Sequence, residues 1–322
     1  MTNVLILTEV QEAMQQRYKQ MLLERFPQLT INVVGHHTLV EPYIADVDVL
    51  MCFSPPMADH VVRDAPKLKW IQTLGTGVDN VVDLPSLNKE VVVTNVRGIH
   101  GAPVSEATIA YMLSLARDMP RSTRAQDRST WERWPSQLLA GKTVGFLGVG
   151  LIAEYLAPIC KAFGMTVVGI TGSPRPTPSF DRMAKRDDLV SIASELDFLV
   201  ALIPMSAETR NIVGEKVFKA MKPSAYLVNV ARGGVVDEGA LIKALEAGEI
   251  AGAGLDVFAQ EPLSPESPLW KTKGITIFPH LGGYSEGYEH RAMPTLAGNM
   301  EKYLAGDLKN MVNIVRKPAS WQ

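Results

Sequence analysis

The sequence predicts an α/β protein with two doubly wound parallel-sheet domains. Short runs of β-branched and leucine residues alternate with longer amphipathic stretches, a rhythm typical of parallel sheets. The 322 residues exceed one ordinary domain, so we expect two lobes with a ligand cleft between them. Apolar residues make up 46% of the chain, which is enough to build a core in each lobe.

The first domain is predicted over residues 1–99 together with 287–322. Its strands are expected at 4–7, 30–34, 49–53, 69–74 and 91–95. Between the first two, Met14, Tyr18, Met21 and Leu22 share one face of a helix over 12–26. A helix over 285–304 and an irregular tail are expected to pack back on this domain.

The second domain is predicted over residues 100–286. Gly and Pro residues between 98 and 103 break the pattern, and a helical run follows over 104–117. Six further strands are expected, and another helix is expected over 151–163. These strands lie at 143–147, 166–170, 198–203, 226–230, 253–257 and 275–278.

Composition indicates a small-molecule partner rather than a polymer or a membrane. The net charge of −2 gives no basic field for nucleic acid or anionic lipid, and no apolar run reaches the roughly 18 residues of a membrane span. The charged stretch 121–133 is interpreted as a solvated arm or subunit contact. Cys52 and Cys160 form no disulfide framework and no metal-ligand pattern, so a reducing, cytoplasmic location without a metal is expected.

A glycine loop follows the predicted strand 143–147 and opens the helix after it. Gly148 permits a tight turn, Gly150 lets the backbone approach a pyrophosphate, and Ala153 stands where helix and strand pack closely. The helix amino terminus supplies N–H groups and positive dipole to the phosphates. The sequence therefore predicts a Rossmann-type domain that binds a dinucleotide through residues Gly148, Val149, Gly150, Leu151 and Ile152.

The strand after the loop indicates which coenzyme binds. An acid at its end would grip the ribose 2′-hydroxyl of NAD, but Thr171 stands there and the next acid is Asp181. Thr171, Ser173 and Arg175 suit a 2′-phosphate instead, so NADP is preferred, with NAD still possible. The alternative is that Arg175 is a solvated turn residue.

Three reactive residues follow three later strands of the second domain. Arg232, Glu261 and His280 each come soon after a strand's carboxyl end, the edge where open α/β sheets bind ligands. A single buried His or Glu would more often be a core residue, but three such residues at one edge form a reactive set.

These segments, in this order after the glycine loop, resemble the D-isomer-specific 2-hydroxyacid dehydrogenase family over nearly the whole chain. The resemblance implies a flavodoxin-like substrate domain and a homodimer. It implies that Arg232 binds the substrate carboxylate, that Glu261 pairs with the catalytic histidine, and that His280 exchanges the proton. Further matching positions are Thr76, Gly77 and Trp134 for substrate, and Thr108, Pro204 and Asp256 for cofactor.

The predicted function is NADPH-dependent reduction of a small 2-oxo acid, such as glyoxylate or hydroxypyruvate, to the D-2-hydroxy acid. One alternative is an NAD-linked dehydrogenase of a larger or phosphorylated 2-hydroxy acid. Another is a nicotinamide-sensing, corepressor-like binding protein, and formate or phosphite oxidation is a third. Leu74, residues 51–56, Trp134 and the region of Tyr284 are expected to set the substrate volume.

Overall fold

The computed structural model describes residues 1–53 and 57–321, so part of the predicted 51–56 pocket segment lies outside the described residues. The chain divides into two compact units. Unit 1 comprises residues 1–99 and 286–322, and unit 2 comprises residues 100–285.

Thirteen strands are present in the described residues: β1 (Asn3–Leu7), β2 (Thr30–Val34), β3 (Val49–Cys52), β4 (Trp70–Thr73), β5 (Val92–Thr94), β6 (Thr143–Leu147), β7 (Thr166–Thr171), β8 (Arg182–Lys185), β9 (Phe198–Ala201), β10 (Tyr226–Asn229), β11 (Gly252–Leu255), β12 (Ile275–Ile277) and β13 (Ile314–Arg316). The α-helices of the same part of the chain are α1 (Glu12–Arg25), α2 (Glu41–Ile44), α3 (Asp59–Arg63), α4 (Gly101–Arg117), α5 (Met119–Asp127), α6 (Leu151–Ala162), α7 (Leu189–Ala193), α8 (Glu215–Ala220), α9 (Glu238–Ala247) and α10 (Tyr288–Leu304).

Unit 1 is a six-stranded sheet in the order β13-β5-β4-β3-β1-β2. All its pairs are parallel except β13 with β5, which is antiparallel. Helix α1 turns Met14, Tyr18 and Leu22 into the core, as their spacing predicts. The tail contains strand β13, which the sequence analysis missed because it has only three residues and none of them is fully buried.

A buried polar network joins the carboxyl-terminal helix of unit 1 to its sheet. Asn299 on α10 donates to Gln72 Oε1 at 3.0 Å, and the Thr94 hydroxyl donates to the same oxygen at 2.7 Å. Trp70 Nε1 donates in turn to Thr94 at 2.8 Å. Polar groups buried in a core are tolerated when they bond to one another, so this network fixes α10 on β4 and β5.

Unit 2 is a seven-stranded, wholly parallel sheet in the order β12-β11-β10-β9-β6-β7-β8. The predicted fold class, two doubly wound parallel sheets of the Rossmann and flavodoxin-like kinds, is confirmed. The strand order reverses between β6 and β9, which makes their carboxyl ends the topological switch point where such sheets bind ligands. Edge strand β8 was missed because its residues are half-buried or exposed and show no apolar run.

Candidate active site

The glycine loop runs from β6 into α6 beside the switch point. Gly148 has a φ of +102°, and a Cβ there would lie 2.8 Å from the backbone nitrogen of Ile203. Its own N–H donates to Ile170 O at 2.9 Å. Only glycine combines this backbone conformation with such a close approach to the segment after β9, so the fold requires glycine at this position of the turn.

Gly150 and the start of α6 have the form of an anion cradle. A Cβ on Gly150 would meet no protein atom within 4 Å, so the loop is open on this side. Leu151 begins a twelve-residue helix without a side-chain cap, and Ile152 follows it. Ala153 is fully buried against the core. Open space at the helix amino terminus fits the pyrophosphate of a dinucleotide, and Val149, half-buried, lies within the same turn.

The end of β7 carries the groups predicted to contact a 2′-phosphate. Thr171 is half-buried, and Ser173 and Arg175 are exposed. Arg175 Nη2 lies 3.4 Å from Glu154 Oε1 on α6, an acid that the sequence analysis overlooked because it belongs to the preceding helix. Asp181 binds Val167 N at 2.7 Å, at the amino end of β7, which is the wrong end for a ribose contact.

Two other predicted cofactor positions use their polar groups internally. The buried Thr108 hydroxyl donates to Val104 O at 2.6 Å within α4. Pro204 is exposed after β9, and its carbonyl accepts the Thr209 hydroxyl at 2.8 Å. For Thr108, the alternative interpretation from the sequence is a helix hydroxyl that bonds its own backbone, and the bond to Val104 O is of this kind.

Arg232 lies half-buried in the turn after β10. Asn229, fully buried, shapes this turn: its Nδ2 donates to Arg232 O at 3.0 Å and its Oδ1 accepts from Ala231 N at 3.1 Å. One guanidinium nitrogen of Arg232 donates to Ala231 O at 2.7 Å. Asn229 is a supporting residue to which the sequence analysis assigned no role.

Glu261 and His280 form a direct pair. His280 Nδ1 donates to Glu261 Oε2 at 2.6 Å, while Glu261 Oε1 accepts from Phe258 N at 2.9 Å. The bond with Glu261 raises the pKa of His280 above 6.5 against the opposing effects of burial and Arg232. Burial alone would raise the pKa of Glu261, but the bond and charge of His280 outweigh it and lower that pKa. The pair therefore favours imidazolium beside carboxylate.

Asp256, at the end of β11, holds the backbone that carries His280. Its side chain is buried, and Oδ1 accepts from Tyr111 Oη at 2.7 Å and from Leu281 N at 2.8 Å. Its carbonyl accepts from His280 N at 2.8 Å. His280 has a φ of +54°, an unusual value for a residue with a side chain, and these bonds stabilise it.

The predicted substrate turn of unit 1 follows β4. The Thr76 hydroxyl donates to Val96 O at 2.8 Å, and Asn95 Nδ2 donates to Thr76 O at 2.7 Å. Tyr288 Oη donates to Leu74 O at 3.0 Å. The first two bonds hold the turn that contains Gly77 to the segment after β5, and the third joins the residue that follows β4 to the start of α10.

Trp134 lies in the irregular segment after α5. Its indole N–H donates to Arg117 O at 3.2 Å, and the Arg121 guanidinium lies 4.6 Å from the ring centroid. Its described contacts thus hold the segment to the ends of α4 and α5, and they include none of the three reactive residues.

No group of three or more His, Cys, Asp or Glu residues in 1–53 and 57–321 is arranged to hold a metal ion. Over the same residues, no helix has the length and apolar character needed to cross a membrane.

Most of the sequence of unit 2 matches a known protein family. Residues 109–282, more than half of the chain, match the model described as D-isomer specific 2-hydroxyacid dehydrogenase, NAD binding domain. A glyoxylate reductase of Thermococcus litoralis is 33% identical over 281 residues, which are 84% of this chain and 85% of that protein. A D-3-phosphoglycerate dehydrogenase of Methanocaldococcus jannaschii is 34% identical over 85% of this chain but 53% of its own length, so the chain spans about half of that relative.

Solved structures agree over the full length. A D-isomer specific 2-hydroxyacid dehydrogenase family protein from Aeromonas salmonicida has a TM-score of 0.86 at 31% identity, with 98% of each chain covered. A D-isomer specific 2-hydroxyacid dehydrogenase from Xanthobacter autotrophicus, in complex with NADPH and MES, has a TM-score of 0.80 at 29% identity and the same coverage. The resemblance drawn from the glycine loop and the Arg232, Glu261 and His280 segments is thereby confirmed, and the chain belongs to the D-isomer specific 2-hydroxyacid dehydrogenase family.

Proposed function

We propose that this chain reduces a small 2-oxo acid, of the glyoxylate or hydroxypyruvate type, to the D-2-hydroxy acid with NADPH. The observation that carries the proposal is the 2.6 Å bond between His280 Nδ1 and Glu261 Oε2 at the strand edge that also carries Arg232. The glyoxylate reductase relative supports this substrate class.

Each reactive residue has a role that its chemistry supports. Arg232 presents a planar guanidinium that holds a carboxylate by two parallel bonds and so orients the neighbouring carbonyl. When bound, the reduced nicotinamide supplies a hydride to the carbonyl carbon. His280, charged through Glu261, donates its proton to the carbonyl oxygen as that oxygen becomes an alkoxide. In the reverse direction the neutral imidazole accepts the hydroxyl proton.

The remaining predicted contacts belong to the same proposal. Unit 2 binds the cofactor through the glycine loop, with Thr108, Pro204 and Asp256 along its path. Unit 1 binds substrate through backbone N–H groups of Thr76 and Gly77, and Trp134 contributes to the substrate site. Asp256 offers Oδ2 for further bonding, because among its described bonds only the one from Gly282 N, at 3.0 Å, reaches that oxygen.

Steady-state assays of glyoxylate and hydroxypyruvate with NADPH and NADH test the reaction. We expect turnover with both acids and its loss in the His280→Ala variant. Intact turnover in that variant would refute the acid-base role. Turnover absent from the wild type, with cofactor binding retained, would favour the nicotinamide-sensing alternative.

The preference for NADPH depends on Arg175, with Thr171 and Ser173 beside it. The NADPH complex of the Xanthobacter relative supports it. We expect Arg175→Gln to raise KM for NADPH about tenfold, with little change for NADH, because a charged hydrogen bond to a phosphate contributes roughly 1.5–3 kcal/mol. Arg182→Gln is the matched control, because Arg182 is an exposed arginine on β8 of the same sheet and forms an ion pair with Glu195. Equal losses with both coenzymes would contradict the assignment.

A second candidate is NAD-linked oxidation of a larger or phosphorylated 2-hydroxy acid, favoured by the phosphoglycerate dehydrogenase relative. Assays with 3-phosphoglycerate and NAD distinguish it. A kcat/KM above that for hydroxypyruvate with NADPH would establish this candidate in place of the first.

Exposed apolar side chains in α5 and in the irregular segment that contains Trp134 support a homodimer. Trp131, Met119 and Leu138 are exposed by 91%, 54% and 60%. Large apolar side chains exposed close together in the chain are typical of interfaces, and we propose that a second copy of the chain covers them. Light scattering after size exclusion should give a dimer, and Trp131→Glu should shift it to monomer. A monomeric wild type would overturn this proposal.

We also propose a cytoplasmic location. Cys52 and Cys160 are buried thiols, and burial raises the pKa of each to about 12. Unpaired thiols suit a reducing compartment. Cell fractionation tests this location.

A further inference from the structure

The side chain of Tyr111 joins helix α4 to the residue that holds the His280 loop. Tyr111 is buried in the middle of α4, and its hydroxyl donates to Asp256 Oδ1 at 2.7 Å. Its ring stacks on Phe278, with centroids 3.6 Å apart and planes at 17°. The ring and the hydroxyl are therefore both fixed.

Two glycines lie beside the bond between Tyr111 and Asp256. A Cβ on Gly254 of β11 would lie 3.6 Å from Tyr111 Cβ, an ordinary packing distance, so α4 packs directly on this strand. A Cβ on Gly282 would lie 2.7 Å from Asp256 Oδ2, so the loop after His280 must be small there to reach the carboxylate.

Tyr111 completes the set of donors around a buried carboxylate. Asp256 is 2% exposed, and no ion pair of Asp256 occurs among the described residues. Its donors are Tyr111 Oη and the N–H groups of Leu281 and Gly282. A buried carboxylate requires such donors, and Tyr111 is the only side chain among those found in the described part of the chain.

We propose that Tyr111 is a positioning residue for the catalytic histidine, acting through Asp256. The order of contact is Tyr111 hydroxyl, Asp256 carboxylate, Leu281 and Gly282 N–H, and then the backbone of His280. Because His280 has a φ of +54°, its conformation depends on these bonds, and so does the alignment of Nδ1 with Glu261. This inference rests on the proposed acid-base role of His280.

Burial raises the pKa of Tyr111 and the bond to Asp256 raises it further, so the phenol stays a donor at working pH. In Tyr111→Phe the ring remains and the donor is lost. Asp256 then holds the loop less firmly, the bond between His280 and Glu261 loosens, and the pKa of His280 falls toward 6.5.

The test measures the His280 pKa directly, by NMR titration of the imidazole in Tyr111→Phe and in wild type. It also measures the pH profile of kcat for reduction. We expect the pKa and the alkaline limb of the profile to move to lower pH together, with kcat lower by roughly tenfold and the cofactor Kd within about twofold. Tyr226→Phe is the matched control, since this half-buried tyrosine accepts a bond from Gln137 and is not among the partners of Asp256.

A double-mutant cycle with Asp256→Asn tests whether Tyr111 acts on His280 through Asp256. If Tyr111 acts through Asp256, its effect on the His280 pKa shrinks in the Asp256→Asn background. Loss of thermal stability with an unchanged His280 pKa, or fully additive effects in the cycle, would overturn the proposal. The titration needs no turnover, so a wild type that reduces no 2-oxo acid would refute the proposed function and leave this test intact.

Discussion

Gly233 and Phe258 approach so closely that a Cβ on Gly233 would lie 1.8 Å from the carbonyl carbon of Phe258. Gly233 follows Arg232, and Phe258 N donates to Glu261. The turn that presents the guanidinium is therefore packed directly on the turn that presents the carboxylate. The close approach sets the spacing of these two reactive residues.

Gly233→Ala should destabilise unit 2 by about 3 kcal/mol or more, because the clash is with backbone that cannot rotate away. Chemical denaturation measures the loss. Gly298→Ala is the control: a Cβ on this helical glycine meets nothing within 4 Å, so the change should stabilise the protein by about 0.5–1 kcal/mol. A Gly233→Ala protein of wild-type stability would refute the close packing.

Glu261→Gln should move the alkaline limb of the reduction profile to lower pH. Reduction needs protonated His280, so activity is full below the pKa of His280 and falls as pH rises through it. Glu261 raises that pKa above 6.5, and its neutral amide substitute loses the charge and weakens the bond, so the fall begins about one pH unit or more earlier.

The measurement is kcat/KM against pH with saturating cofactor. Glu266→Gln, at a nearby exposed acid that accepts a bond from the Ser264 hydroxyl, should leave the limb in place. A limb that stays at the wild-type pH in Glu261→Gln would show that the carboxylate does not control the histidine.

Arg232→Lys should lower kcat/KM for a 2-oxo acid by about two powers of ten, because an ammonium cannot reproduce the two parallel bonds of a guanidinium to a carboxylate. Cofactor Kd, followed by NADPH fluorescence, should stay unchanged. Arg210→Lys, at an exposed arginine, serves as the control and should retain wild-type activity. Retained activity in Arg232→Lys would remove this residue from substrate binding.

Gly150→Ala should separate cofactor binding from folding. Gly150 has an ordinary extended backbone, with a φ of −143°, and its Cβ would enter open space, so stability should be unchanged. The same methyl group would occupy the pyrophosphate position and raise the NADPH Kd at least about tenfold. Gly148→Ala should instead destabilise the fold, through its positive φ and the contact with Ile203. Unchanged Kd in Gly150→Ala would exclude the cradle.

The sequence was sufficient for the fold class, because apolar periodicity reports buried strands and amphipathic helices. Apolar periodicity did not predict strand β8, because an edge strand needs no apolar run. Arg232, Glu261 and His280 were found from their places after strands, but their supports were not. Tyr111 lies within the helical run predicted over 104–117 and belongs to no motif. Its bond to Asp256 joins residues 145 positions apart, which no local pattern reports.

In unit 1, substitution of Asn299 tests how much a buried polar network contributes to stability. Its Oδ1 accepts Val312 N at 2.8 Å, and its Nδ2 serves both Val312 O and Gln72 Oε1. Asn299→Ala removes the side-chain partner of Val312 N and Val312 O and one of the two donors to Gln72 Oε1. It should cost about 2 kcal/mol, with faster hydrogen exchange in β13 just beyond Val312. Asn310→Ala, whose exposed side chain bonds only to Asp307 among the described residues, should cost under about 0.5 kcal/mol. If both variants lost equal stability, the network would contribute nothing beyond a surface bond, and α10 would be held by its apolar face alone.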